Sequence, residues 1–182
     1  NVTVNGEVTF TGNYALTKKN ERLSDLIAKA GGLSKSAYAK GARLMRRMTA
    51  DEIRQKQDAV RFATKGTGKD SVSLSSLEVD QTYSVGIELE KALAKPKSDE
   101  DLVLREGDVL FVPKYVSTVT VNGAVMYPNT VLYQKGSGID YYIGQAGGFG
   151  NRALKRRAYV VYMNGTVSRL RRNTANAIEP GC

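Results

Sequence analysis

The sequence carries one short pattern twice. Residues 2–8 read Val-Thr-Val-Asn-Gly-Glu-Val, and residues 119–125 read Val-Thr-Val-Asn-Gly-Ala-Val, 117 positions later. Further along, residues 27–33 and 143–149 share a leading Ile and an Ala-Gly-Gly core at an offset of 116. Two pairs of matched segments with nearly equal separation predict one small structural unit that is present twice.

Each unit is predicted to contain two strands, a short helix and two further strands. Residues 2–8 alternate apolar and polar side chains, and residues 10–16 follow as a partner strand. Asn164-Gly165 lies between two apolar runs and predicts a β-hairpin. Apolar side chains recur at the spacing of a helix with one buried face, at Leu23, Leu26, Ile27 and Ala30 and again at Ile139, Tyr142, Ile143 and Ala146. This order, with one helix across a mixed sheet, is the β-grasp arrangement, an α+β fold.

We expect the first unit at residues 1–115 and the second at residues 116–182. The first unit contains a long, partly helical insertion at about 48–101. Within it, residues 49–52 (Thr-Ala-Asp-Glu) predict a capping box that opens a helix of about three turns. Ser137 with Asp140 three positions later predicts a similar box before the helix of the second unit.

The two units differ at their closing ends. Residues 104–113 give the first unit a Gly-Asp turn and a last strand that ends at proline. In the second unit Gly181-Cys182 aligns with Gly107-Asp108. We therefore expect the second unit to be truncated at its C-terminus, in a piece of a longer protein.

The composition argues against catalysis. The sequence contains no histidine and a single cysteine, Cys182. Pairs of serine or cysteine with histidine are thereby excluded, together with most zinc sites. No paired-acid motif stands out, and no apolar stretch reaches the roughly 18 residues of a membrane span. We expect a non-enzyme that carries no cofactor and no metal.

The positive charge is concentrated in the second half. The formal net charge is +9, of which residues 116–182 carry +6 and residues 1–115 carry +3. A basic region of this kind suits a polyanion, such as an acidic polysaccharide, a nucleic acid or an anionic lipid, and it is also typical of an ordinary solvated surface.

Five residues of the second half are candidate contacts for a glycan or a neighbouring subunit. Four are basic and fall between the predicted helix and the next strand, at Arg152, Lys155, Arg156 and Arg157. The fifth is Tyr141, which lies off the apolar stripe and is therefore the tyrosine expected at the surface, whereas Tyr142 is expected in the core.

Three motifs together resemble the soluble-ligand-binding β-grasp (SLBB) domain. They are Val-x-Val-x-Gly-x-Val at residues 2–8, a leucine-rich helix ending in Ala-Gly-Gly-Leu at 23–33, and Arg-Glu-Gly-Asp before the last strand at 105–113. The second copy departs at Ile139 and at Tyr141-Tyr142. Two such domains with a Tyr-x-Val-x-Ile-x-Leu segment at 83–89 resemble outer-membrane polysaccharide export proteins.

That resemblance implies a structural role. Proteins of this family form a ring of identical subunits in the bacterial periplasm, associated with the outer membrane, whose β-grasp domains wall a conduit for capsular or secreted polysaccharide. An acidic polysaccharide and an inner-membrane export protein are the further partners it implies, and nucleic acid is not expected. SLBB domains also occur in cobalamin carriers, DNA-uptake proteins and respiratory-complex subunits. The alternative is therefore a monomeric module that binds a soluble ligand or DNA.

Overall fold

The computed structural model of the chain describes residues 1–65, 81–154, 157–170 and 177–182. We call residues 1–115 the first repeat and residues 116–182 the second repeat. The first contains β1 (Val2–Gly6), β2 (Gly12–Tyr14), α1 (Leu23–Lys29), a 3₁₀ turn (Ala39–Gly41), β3 (Arg43–Arg47), α2 (Ala50–Lys65), β4 (Thr82–Val85), α3 (Leu89–Ala94) and β5 (Val109–Val112). The second contains β6 (Thr118–Val121), β7 (Asn129–Leu132), α4 (Ile139–Gln145), β8 (Tyr159–Val161) and β9 (Val167–Arg169). The mixture of helices with a mixed sheet confirms the α+β class.

The strands of the first repeat form one five-stranded sheet in the order β2-β1-β5-β3-β4. The pair β1 and β5 is parallel, and the other three pairs are antiparallel. Alternation along β1 buries Val2 and Val4, and the apolar stripe of α1 buries Leu23, Leu26 and Ile27 in the same core cluster. The stripe predicted from the sequence is therefore the face that packs the helix against the sheet.

The strands of the second repeat form two separate hairpins, β6 with β7 and β8 with β9. Val119 of β6, Val160 of β8 and Tyr142 of α4 are buried together with Ile178. These are the counterparts of Val2, Leu44, Leu26 and Leu104 in the first repeat, all of which are buried too. The two repeats therefore bury these four equivalent positions, three of them with different side chains.

Both short helices end in the same way. After α1, Gly31 has a φ of +76° and its N–H donates to the carbonyl of Ala28 at 3.1 Å, while the N–H of Gly32 donates to Ile27 at 2.9 Å. This pair of bonds is a Schellman motif, which requires a left-handed residue where Gly31 stands. Gly147 and Gly148 repeat it after α4, with donation to Gly144 and Ile143.

The helix starts match the predictions only in part. The capping box before α2 is confirmed, because the Thr49 N–H donates to the Glu52 carboxylate at 2.7 Å and the Glu52 N–H donates to the Thr49 hydroxyl at 3.3 Å. The box at Ser137 and Asp140 is wrong. Ser137 instead forms a turn with Gln134, and α4 begins after Gly138 with no side-chain cap.

The two repeats contact each other through the turn between β8 and β9. The Arg43 guanidinium of β3 donates to the Met163 carbonyl in that turn. Nearby, the Lys40 ammonium lies 3.6 Å from a carboxylate oxygen of Glu179. Along the parts of the chain that the structure describes, no helix is both long and apolar enough to cross a membrane.

Candidate functional site: the cleft between β6 and β8

A cleft of about 830 Å³ opens in the second repeat between β6 and β8. Its floor is apolar because it is formed by buried core residues, Val119, Tyr142, Ile143 and Val160. In the described part of the chain, the two strands that form its walls each pair with one other strand, β6 with β7 and β8 with β9, on the side away from the cleft. The cleft thus combines an apolar floor with backbone N–H and C=O groups along both sides.

The same position in the first repeat is filled by β5. That strand pairs with β1 on one side and with β3 on the other. The segment before β5 first bonds to the chain at the start of β1, at two points. The Gly107 N–H donates to the Asn1 carbonyl and the Thr3 N–H donates to the Asp108 backbone carbonyl, both at 2.9 Å.

The second repeat contains the same pair of backbone hydrogen bonds at the end of the cleft. The Gly181 N–H donates to the Thr118 carbonyl and the Thr120 N–H donates to the Cys182 carbonyl, both at 2.7 Å. Gly181-Cys182 therefore runs beside β6 as Gly107-Asp108 runs beside β1, as the sequence alignment placed it.

Two equivalent glycines show how closely a strand can pass. Gly6 at the end of β1 has a φ of +91°, and a Cβ there would collide with the Val112 carbonyl oxygen of β5. Gly123 has a φ of +99°, and a Cβ there would meet nothing within 4 Å. The backbone around Gly123 is therefore shaped as in the first repeat, but it faces the open cleft.

The segment that leads into β5 is fastened by a buried ion pair. The Arg46 guanidinium donates to the two carboxylate oxygens of Asp108 at 2.9 and 2.7 Å, and also to the Val103 carbonyl at 3.0 Å. The Arg105 N–H donates to the same carboxylate at 2.8 Å. Hydrogen bonding to Asp108 holds the pKa of the Arg46 guanidinium above its ordinary value.

In the second repeat Tyr162 and Cys182 stand at these two positions. The Tyr162 hydroxyl donates to the Ala177 carbonyl at 2.7 Å, as Arg46 does to Val103. The Glu179 N–H donates to the Cys182 sulfur at 3.3 Å, as Arg105 does to Asp108. Burial raises the pKa of both the Tyr162 phenol and the Cys182 thiol, so the thiol stays protonated and weakly nucleophilic at neutral pH.

Arginines from both repeats line the cleft. They are Arg152 and Arg157 from the second repeat and Arg43 from the first, and no Asp or Glu lines the part of the cleft that the structure describes. Arg43 was missed from the sequence, because it reaches the cleft only through the contact between repeats. A cationic lining of this kind attracts anionic groups.

The predicted contact residues are therefore only partly brought together. Arg152 and Arg157 lie at the cleft, whereas Lys155 and Arg156 fall outside the described residues. Tyr141 lies on α4 away from the cleft lining, 37% exposed, with its ring edge-on to Tyr142 at a centroid distance of 5.1 Å. Within the described ranges, no three His, Cys, Asp or Glu side chains converge as a metal site requires.

Comparison with known families defines the class of the protein. The model of the SLBB domain matches residues 1–56 and 118–170, which fall on the two repeats and make up more than half of the chain. The chain therefore belongs to the SLBB domain family, and the resemblance seen in the sequence motifs is confirmed.

Two curated relatives are similar to part of the chain. Both are named polysialic acid transport protein KpsD and come from Escherichia coli, at 33% and 32% identity over 82 residues. The aligned region covers 45% of this chain and 14% of each relative. The chain therefore spans only a small part of the length of the relatives it matches.

Proposed function

We propose that this chain is a structural part of a bacterial polysaccharide export apparatus. The observation that carries the proposal is the double SLBB match together with the similarity to proteins named for polysialic acid transport. A role in passing or enclosing a polymer requires binding surfaces rather than catalytic groups, so we propose a non-enzymatic role.

In this proposal the two repeats are tandem β-grasp domains, the second of them truncated, that belong to a ring of identical subunits in the periplasm at the outer membrane. The ring walls a conduit for capsular or secreted polysaccharide and meets an inner-membrane export protein. The equivalent core positions and the shared approach of Gly107 and Gly181 support a common fold for the repeats. The net charge of +9 suits an acidic polymer.

The experiment is made in a bacterium that carries the full-length protein. The region encoding residues 1–182 is replaced by a flexible linker, and polysaccharide is measured separately at the cell surface and inside the cell. We expect surface polysaccharide to fall and intracellular polysaccharide to accumulate. Normal surface polysaccharide with a stably expressed variant would contradict the proposal.

The basic lining of the cleft offers a narrower test of the same function. Charge reversal at Arg152 and Arg157 should reduce export while the isolated chain stays folded, since exposed surface charges contribute within about 0.5 kcal/mol to stability. Unchanged export and unchanged oligomer size in this double variant would make the arginines ordinary solvated charges.

The competing function is a monomeric module that binds a soluble ligand or DNA, and the arginine-lined cleft is the observation that favours it. Binding to DNA would weaken steeply as salt rises, because counterions are released from the phosphates. A monomeric full-length protein with such salt-dependent DNA binding would favour the competing function.

A further inference from the structure

Each repeat exposes one aromatic side chain at the same place. Phe10 is 63% exposed and Tyr127 is 69% exposed, and the two are 117 positions apart, as are Val2 of β1 and Val119 of β6. The backbone N–H of each donates to the alanine that ends the neighbouring helix, Ala30 or Ala146, at 2.9 Å. The two rings are thus fixed at equivalent points beside the ends of α1 and α4.

The glycine that follows each helix supports the ring. A Cβ on Gly31 would lie 2.9 Å from Cδ2 of Phe10, and a Cβ on Gly147 would lie 2.8 Å from Cδ2 of Tyr127. Both distances are shorter than carbon atoms tolerate, so each ring rests against bare glycine backbone. The remaining surface of the ring faces solvent.

A single exposed aromatic residue is ordinary on a protein surface. These two differ because the same support and the same exposure occur in both repeats, although the residues beside them have changed. Thr9 precedes the first ring and Met126 the second. Neither ring belongs to a core cluster, so packing does not account for keeping an aromatic residue twice.

We propose that Phe10 and Tyr127 are saccharide-stacking platforms, one in each repeat, for the polysaccharide of the proposed function, on which this inference rests. The apolar C–H face of a pyranose ring packs on an aromatic ring by dispersion, as other flat apolar groups do. Its outward hydroxyls then need polar neighbours, and the exposed Thr9 and Thr11 flank Phe10 in sequence.

The surroundings of Phe10 favour a sugar over a neighbouring subunit. A stable protein interface buries roughly 800 Å² on each partner around an apolar centre. Phe10 is instead flanked in sequence by exposed threonines, whereas Tyr127 follows Met126, which is 51% exposed. A repeating polymer can use two equivalent weak platforms together, because linked contacts strengthen one another.

The test uses the 182-residue chain and two soluble polymers of matched length, polysialic acid and neutral dextran, with binding followed by NMR titration. The variants are Phe10→Ala, Tyr127→Ala and the double variant. Phe111→Ala is the matched control, because Phe111 is 45% exposed on the face of β5 opposite to the buried Leu110 and Val112. Phe10→Tyr and Tyr127→Phe keep each ring.

We expect each alanine variant to weaken binding of the polymer that the wild type binds by roughly two- to tenfold, the range measured for aromatic contacts. The double variant should lose at least about fivefold, while the control and the ring-retaining variants stay near the wild type. Equal binding by the wild type and the double variant would contradict the proposal that these rings bind saccharide. So would an equal loss in Phe111→Ala, or failure of the wild type to bind either polymer.

Two further outcomes separate this inference from its alternatives. If the wild type self-associates and the double variant does not, with polymer binding unchanged, the rings are subunit contacts and the proposal is wrong. In cells, export that is lost with residues 1–182 but normal in the full-length double variant would overturn the platforms while the proposed function stands. Export that persists without residues 1–182 would overturn the proposed function.

Discussion

The two repeats have equivalent buried positions, but different side chains hold the segment that leads to the last strand. In the first, the segment before β5 is tied to β3 by the buried pair of Arg46 and Asp108. In the second, Tyr162 and Cys182 replace that pair, and their side chains make one bond to a backbone carbonyl and one weak bond through sulfur. The path of this segment therefore does not depend on the charges. A buried ion pair must overcome the cost of removing both charges from water, which a phenol and a thiol avoid.

The largest effect on stability should come from removing one partner of the buried ion pair. Asp108→Ala leaves the Arg46 guanidinium buried without its partner and should lower the free energy of unfolding by about 3–5 kcal/mol. The double variant Arg46→Tyr and Asp108→Cys copies the second repeat and should lose less than the single variant. Urea unfolding measures both. A double variant that is less stable than Asp108→Ala would show that the two solutions are not interchangeable.

The second prediction compares the two helix stripes. Leu26→Ala and Ile143→Ala should each lower the free energy of unfolding by about 2–5 kcal/mol, from lost burial and the cavity left behind. Leu26 is fully buried under a complete sheet, whereas Ile143 borders the cleft, so the loss at Leu26 should be the larger. Thermal or urea unfolding with no change for either variant would contradict the packing of these helices.

Much of this packing follows from short-range patterns in the sequence. The helix period, the glycine after each helix and the capping box at Thr49 and Glu52 depend on neighbours within a few residues, and the structure contains all three. The motif before the last strand also aligned Gly181 with Gly107 correctly. Phe10 and Tyr127 also occupy equivalent positions in the sequence, but the apolar pattern places Phe10 inside the strand predicted at 10–16.

Other features of the fold depend on contacts between residues that are distant in the sequence, and no local sequence pattern predicts them. The strand predicted at 10–16 shrinks to Gly12–Tyr14, because the N–H of Phe10 bonds to the end of α1 rather than to β1. The alternating segment at 83–89 is divided between two elements, because β4 ends at Val85 and Leu89 is buried at the start of α3. The pairing of Arg46 with Asp108 and the arrival of Arg43 at the cleft join residues that only the folded chain brings together.

The third prediction tests whether the cleft is the place of a fifth strand. Adding a copy of residues 109–114 after Cys182 should extend the approach begun at Gly181 and bury two apolar side chains. We expect an increase in the free energy of unfolding, because the burial of these side chains and the backbone hydrogen bonds to both strand edges together exceed the entropy lost when the strand is ordered.

The control for this extension carries the same residues shifted by one position, which turns the apolar side chains away from the floor. Amide hydrogen exchange on β6 and β8 measures the pairing directly, and only the unshifted extension should slow it. Equal effects of the two extensions would show that the cleft does not select a strand in the register of β5.

The smallest effect concerns a carboxylate that only the first repeat has. Glu7 accepts hydrogen bonds from Ser34 and Ser36, both at 2.6 Å, whereas its counterpart is Ala124. These bonds, chiefly that from Ser34, hold the pKa of Glu7 below its ordinary value of 4.5. Because the folded state favours the ionised form, the stability that Glu7 contributes is complete above the unfolded pKa and is lost as pH falls through the lower folded pKa.

Glu7→Ala should therefore be slightly less stable than the wild type at pH 7, and the difference should vanish as the solution is acidified below pH 4.5 through the lowered pKa. Urea unfolding at a series of pH values measures it, with Glu106→Ala as a control, since Glu106 is an exposed carboxylate of the same repeat that pairs with the exposed amino group of Asn1. A difference between the wild type and Glu7→Ala that grows in acid would reverse the sign argued here. It would mean that the serines hold the protonated acid, and that this loop of the first repeat differs from Ala124 by packing rather than by charge.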